Sequence, residues 1–125
     1  MIRVKATREG LVGQKTSIGW VIDTLVSFVA LPSFKALRRA VIVRNPLNGL
    51  SCEALVLDVG PWNEHDDDYV FNGARPLSEN GISISGHGTN HAGIDLGEYV
   101  WHTLAMIDNG EVEWEFATYP NVPNN

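Results

Sequence analysis

Two aspartates stand where proton-transfer chemistry is best placed in this chain: Asp58 in the run Leu57-Asp58-Val59-Gly60-Pro61-Trp62, and Asp95 in Gly93-Ile94-Asp95-Leu96. A carboxyl held protonated by burial or by a neighbouring carboxylate acts as a general acid near neutrality, and a second carboxylate serves as base or nucleophile. Gly60 and Pro61 stop the strand that carries Asp58, so its carboxylate is expected at a strand end, outside the core. A plainer role for Asp58 is to accept hydrogen bonds in an Asx-type turn that holds Gly60 and Pro61. For Asp95 the plainer role is to cap a helix start and favour its dipole. Asp23, closing Trp20-Val21-Ile22-Asp23, is a weaker third candidate.

Around these acids lie groups that bind polar ligands. Trp62 and Tyr69, with Trp20 and Trp101, offer flat apolar faces, although core packing is the commoner fate of aromatics. Trp62, beside Asp58, is the preferred contact, whereas Trp101 and Trp114 are expected in the core. Thr16 and Ser17 carry hydroxyls suited to a carboxylate or a ligand hydroxyl, or to local turn bonding. His91, four residues before Asp95, is a candidate proton carrier; its plainer reading is an exposed loop histidine. His65, Asp66, Asp67, Asp68 and His87 are metal-capable, but no recognised ligand spacing joins them, so neither a metal nor another cofactor is expected.

The elements that must hold these residues are mostly strands. Ile2, Val4 and Ala6 alternate with Arg3, Lys5 and Thr7, a half-buried strand ending at Gly10. Residues 13–23 read as a loop leading into a strand, Phe28 to Leu31 as a short strand stopped by Pro32, and Ser33 as a cap for a helical turn through Arg39. Ala40 to Val43 and Ala54 to Leu57 enclose Asn45, Pro46, Asn48 and Gly49, a hairpin signature. Residues 62–93 form a polar segment longer than the connections usual in compact domains, read as a functional loop or an insertion. Leu96, Val100, Leu104 and Ile107 have helical spacing, placing Asp95 near a helix start. Val112, Trp114 and Phe116 alternate with Glu111, Glu113 and Glu115 as the closing strand. Residues 119–125, with Pro120 and Pro123, are expected to be a frayed tail.

At 125 residues the chain suits one domain, here residues 1–118, with an ordinary 44% hydrophobic content. A net charge of −6 argues against nucleic acid as a partner, because phosphates would be repelled. Cys52 is the only cysteine, which excludes an intramolecular disulfide and a CxxC site. No apolar stretch reaches membrane-spanning length and no signal peptide opens the sequence, so no membrane insertion is expected and localisation stays open, with extracellular or periplasmic action requiring another route.

Taken in order, GLVGQKTSIGWVID, FVALP, VIVRNPLNGLSCEALVLDVGPW and GIDLGEYVWHTLAM resemble the segments of rare lipoprotein A-like double-psi β-barrels. The resemblance implies a mainly β fold: a six-stranded double-psi β-barrel with one or two short helices, a long inserted loop and a surface groove, the scaffold also of expansins and barrel-type endoglucanases. It implies a partner among peptidoglycan or other β-linked glycans, either cleaved by a lytic transglycosylase or glycoside hydrolase-like enzyme or bound in an expansin-like way. Asp58 occupies the aspartate of the family's D-x-G-P motif, and Asp95 matches the acid of the expansin and endoglucanase pattern. One departure matters: Phe28 stands where the lytic enzymes have a histidine before Leu-Pro, and His91 is the nearest replacement in sequence. From a different class, a non-enzymatic assembly or adaptor domain of a phage or secretion particle fits the missing signal and the acidic 62–93 loop, which would then offer a surface for a protein partner.

Overall fold

Strand β1 (Ile2–Arg8) forms where alternation predicts it, with Val4 and Ala6 buried and Arg3 exposed. A computed structural model describes residues 1–118 and closes six strands into a mixed barrel of order β1-β5-β2-β4-β3-β6. β1 runs antiparallel to β6 (Gly110–Phe116) and parallel to β5 (Ile94–Leu96). β2 (Phe28–Leu31) lies between β5 and β4 (Ser51–Val59), and β3 (Ala40–Arg44) bridges β4 and β6. Closure leaves no free sheet edge, which removes the usual route to strand-mediated association. The six-stranded, mainly β barrel expected from the resemblance is therefore present.

The barrel is filled from both directions of the strand alternation. Val29 and Leu31 of β2, Val41 and Val43 of β3, and Val56 of β4 meet Trp114 in one buried cluster. Full burial of such aliphatic side chains stabilises the fold by about 1.5–3 kcal/mol each. Trp101 and Trp114 lie in this core as expected, 4% and 2% exposed.

The predicted β3–β4 hairpin is confirmed, with Asn45 organising its turn. Asn45 Oδ1 accepts from Leu47 N at 3.1 Å, and Gly49 N donates to the Asn45 carbonyl at 2.8 Å. Ser33 also caps as predicted: its hydroxyl accepts from Lys35 N, opening a 3-10 turn over Phe34–Ala36, shorter than the span to Arg39.

Expectations are corrected at Asp95 and at residues 20–22. Asp95 does not start a helix: it sits in the middle of β5, and the helix α2 (Glu98–Thr103) begins after Gly97. Ile94 and Leu96 are buried on either side of it, the period-two pattern of a strand, and pairing with both β1 and β2 outweighs the helical spacing. Residues 20–22 form no strand; residues 13–22 fold back on themselves as a small hairpin loop held by Lys15 opposite Val21. The 62–93 segment is a structured insertion carrying helix α1 (Asp67–Asn72) and a 3-10 turn over Leu77–Asn80. Within α1, Tyr69 is 1% exposed and belongs to the core: its hydroxyl donates to the Gly93 carbonyl and accepts from Trp114 Nε1. No ring face is left for a ligand, so Tyr69 is a packing residue. The predicted tail at 119–125 lies outside the described residues.

Candidate active site

Sheet register brings the two predicted aspartates together. Ala30 of β2 is the pairing partner of Asp95 on one side and of Asp58 on the other, and Thr7 of β1 pairs with Asp95. Thr7, Asp95, Ala30 and Asp58 thus form one row across four strands. Residues directly opposite in a sheet project to the same face. That face is the outer one, because Val29 and Leu31, flanking Ala30, point into the core.

Asp58 joins this row through an irregularity. Val29 pairs with Val56, but Ala30 pairs with Asp58, so Leu57 is an extra residue in β4. Strict alternation from the buried Val56 would send the Asp58 side chain into the core. The bulge reverses that and turns the carboxylate outward beside Asp95, a common use of bulges next to functional groups. Gly60 follows with φ +145°, a conformation L side chains rarely adopt, and an added Cβ would lie 4.0 Å from Asp95 Oδ2.

A third carboxyl, absent from the sequence reading, completes the group. Glu9 extends β1 by one residue beyond its end, its backbone N–H donating to the Leu96 carbonyl at 2.8 Å, which keeps it on the same side as Thr7. It is only 8% exposed, its carboxyl is paired with that of Asp58, and Oε2 has no hydrogen-bond donor among the described residues. Two carboxyls can share a hydrogen bond only if one keeps a proton. Burial, the bond to Asp58 and the charges of Asp58 and Asp95 push the Glu9 carboxyl up to about 9. Asp95 is pushed up to about 6 by burial, with the Thr7 hydroxyl bond opposing and the Asp58 charge adding to the rise. Asp58 itself is held as an acceptor by its own Val59 N–H at 2.9 Å and by Ser17 N–H at 3.0 Å. Arg8, the basic side chain next to Glu9, is committed to Glu98 through two hydrogen bonds. The arrangement can therefore offer a proton from Glu9 and accept one at Asp58 or Asp95. The signal for Glu9 was present in the alternation: continuing the period of β1 past Thr7 lands on it.

The remaining candidates divide between this cluster and other places. The 13–22 hairpin lies over the carboxyls, with Thr16 N–H on the Trp20 carbonyl at 2.8 Å and the Ser17 amide on Asp58. Thr16 is 7% exposed and its Oγ1 has no hydrogen-bond partner among the described residues. Trp20 is half-buried and packs edge-on against Phe28 at 4.9 Å. Phe28, standing where the resemblance led one to expect a histidine, lies on the same outer face as Ala30, pressed so close to Gly97 that a Cβ added there would sit 2.3 Å from its ring. It carries no proton and acts as a wedge under the hairpin.

His91 does not replace that histidine: its Nδ1 lies 3.1 Å from the Glu79 carbonyl in the insertion. Asp23 accepts from Leu25 N, a turn contact. The acids after His65 organise the insertion as well, Asp66 receiving Leu77 N–H and Asp67 bonding Ser33 and Lys35. Trp62 is exposed, four residues beyond Asp58, with Nε1 donating to Asn90 Oδ1 at 2.8 Å.

Comparison with known proteins places the fold but not the chemistry. No curated protein matches the chain. Among solved structures, cerato-platanin 3 from M. perniciosa is similar over 94% of this chain and 95% of its own, with a TM-score of 0.52 and 7% identity. At that identity the likeness is one of barrel architecture. A family model matches residues 1–115, and the chain belongs to the family described as Domain of unknown function (DUF8814).

Proposed function

We propose that the barrel acts on β-linked glycans, with Glu9, Asp58 and Asp95 as its reacting groups. The observation that carries this reading is the buried Glu9 carboxyl paired with that of Asp58, beside Asp95, which shares one row of the sheet with Asp58. Glycosidic cleavage needs these two roles: a proton given to the leaving oxygen and a proton taken from the attacking hydroxyl. Glu9, protonated through neutrality, gives the first. Asp95, ionised above about 6, takes the second. Asp58, accepting from two backbone N–H groups, lies where it can stabilise positive charge that develops on the sugar, and the proton that Asp95 takes from the attacking hydroxyl returns to Glu9 by way of Asp58, restoring the acid.

Either water or a hydroxyl of the sugar itself can be the attacking group, so hydrolysis and lytic transglycosylation both remain within this scheme. Phe28 removes the histidine of the familiar lytic mechanism, and Glu9 takes over as the proton donor. Access requires the 13–22 hairpin to move off Asp58, which its Ser17 amide contacts, and Glu9 beside it is buried. A substrate hydroxyl would take the place of the Ser17 amide on Asp58.

The test is incubation with peptidoglycan and with β-glucans, reading binding by pull-down and soluble products by mass spectrometry. Anhydro-sugar products identify lytic transglycosylation, and reducing-end products identify hydrolysis. Binding without products leaves an expansin-like binder. Neither binding nor products removes the glycan reading in favour of an assembly or adaptor domain.

A further inference from the structure

The insertion builds a cavity of about 300 Å³ that none of the three acids of the carboxyl row lines; its walls are Trp62, Asn63, Glu64, His65, Ile84 and Ser85. Its size falls at the lower end of small-ligand pockets.

Those walls are preformed. Residues 64–66 are strapped to the barrel: Phe34 N–H donates to the Glu64 carbonyl at 3.1 Å and Asp66 N–H to the Pro32 carbonyl at 2.8 Å. His65, between them, packs its ring against Phe34 at 5.3 Å. Ile84, 68% exposed, is tied to the same segment by its N–H, which donates to Asn63 Oδ1 at 2.9 Å. Trp62 takes φ 68°, a left-handed conformation that an L side chain holds only where its surroundings impose it. Its indole N–H donates to Asn90 Oδ1 at 2.8 Å, and Asn90 does not line the cavity. With the N–H edge engaged there and 42% of the residue still exposed, the part of Trp62 left open is its apolar ring.

Charge at this cavity is unbalanced in one direction. Glu64 is exposed, and its carboxylate has no hydrogen bond or ion pair among the described residues. Nearby cations are committed elsewhere, Lys35 to Asp67 at 3.1 Å and Arg75 to Glu79 at 2.6 Å. An indole ring and a free carboxylate lining one cavity both attract a cation, the ring through its quadrupole and the carboxylate through its charge. Which kind of cation follows from the hydrogen bonds already made. A primary ammonium brings three N–H donors that each need an acceptor. Here the Asn63 side-chain oxygen already accepts from Ile84, the Glu64 carbonyl from Phe34, and the Ser85 hydroxyl is paired with that of Ser83. A quaternary ammonium has no donors to satisfy, and its methyl groups suit Trp62 and Ile84.

We infer that this cavity binds a quaternary ammonium group, the trimethylammonium end of a small solute or of a lipid headgroup, with the Trp62 ring as its platform and Glu64 as its counter-charge. The inference stands apart from the glycan reading and holds or fails without it.

The test is calorimetric titration of the full chain, with tryptophan fluorescence as a second readout, against choline, ethanolamine and neohexanol, in which carbon replaces the charged nitrogen of choline. Choline is expected to bind about fivefold or more tightly than either of the others. Trp62→Ala should abolish both the choline heat and the fluorescence change. Glu64→Gln, at an exposed carboxylate without a partner, should keep the thermal melt of the parent and weaken choline several-fold. Asp58→Asn should leave choline binding unchanged. Sedimentation with phosphatidylcholine vesicles assigns the source: vesicle binding that Trp62→Ala removes identifies a headgroup, and choline binding without vesicle binding identifies a free solute.

Equal binding of choline and neohexanol overturns the inference, because the cavity then reads shape without charge. Tighter binding of ethanolamine than of choline overturns it too. Loss of choline binding in Asp58→Asn but not in Glu64→Gln places the cation at the carboxyl row and has the same effect. If the parent protein binds neither choline nor the vesicles, the assignment falls while the glycan reading stands.

Discussion

Two regions of the barrel bury polar side chains, and they treat them in opposite ways. At the β3–β4 turn, Asn45 is 5% exposed and each polar group it has is used: Nδ2 donates to the Leu104 carbonyl, Oδ1 accepts from Leu47, and its backbone pairs with Leu50 and Gly49. Asn48 Nδ2 reaches the same Leu104 carbonyl at 3.0 Å. At the carboxyl site Glu9 Oε2 and Thr16 Oγ1 are buried with no hydrogen-bond partner among the described residues, and one carboxyl leans on another. Satisfied polar groups hold the Asn45 turn in place, whereas unsatisfied ones around Glu9 cost stability that a binding or reacting partner would offset. The difference separates architecture from function without reference to any relative.

The strongest test of that contrast is Asp58→Asn. It should leave the circular dichroism spectrum and melting behaviour near those of the parent while lowering any glycan cleavage by about a hundredfold or more. Full activity in the variant would remove Asp58 from the chemistry. The pH dependence of kcat/KM sharpens the same point: a rise through about 6 as Asp95 ionises and a fall near about 9 as the Glu9 pair loses its proton. These limbs belong to the coupled cluster and not to single residues.

Stability should respond to pH around Glu9. The folded Glu9 carboxyl holds its proton to about 9, whereas the unfolded one releases it near 4.5. The folded chain therefore carries an extra proton across that window, and stability falls as pH rises through it. Asp95, raised from 3.8 to about 6, has the same sign over its narrower range. Glu9→Gln keeps a hydrogen-bond donor toward Asp58 without a proton to lose, so thermal melts across pH should flatten. An unchanged slope would mean that Glu9 is not the group holding the proton.

Smaller effects belong to packing and to the satisfied turn. Gly97→Ala drives a methyl into the Phe28 ring and should destabilise the fold by up to about 3 kcal/mol in denaturant unfolding. Asn45→Ala should cost about 1–2 kcal/mol without affecting activity, since Asn48 still serves the Leu104 carbonyl. Leu47→Ser, at a side chain 93% exposed on the same turn, should change stability by less than about 0.5 kcal/mol. A large loss there would show that the turn is stabilised by more than its hydrogen bonds.

Strands β1, β3, β4 and β6 were legible because alternation of apolar and polar residues is a local signal, and the Asn-Gly turn announced its hairpin. β5 was not. Ile94 and Leu96 share their spacing with Val100 and Leu104 in a way that suits a helix, and only the neighbouring strands β1 and β2 decide otherwise. Tyr69 was misplaced for a similar reason: a polar stretch conceals the helix that buries it.

Residue chemistry together with the resemblance to rare lipoprotein A-like barrels singled out Asp58 and Asp95, and Gly60 and Pro61 marked the strand end that carries Asp58. Whether those two carboxyls meet depended on Ala30 standing between their strands, on the extra Leu57 turning Asp58 outward, and on β1 running far enough to deliver Glu9. Register and bulges arise from pairing between distant segments, so the sequence named most of the acids and the closed barrel decided that they form one site.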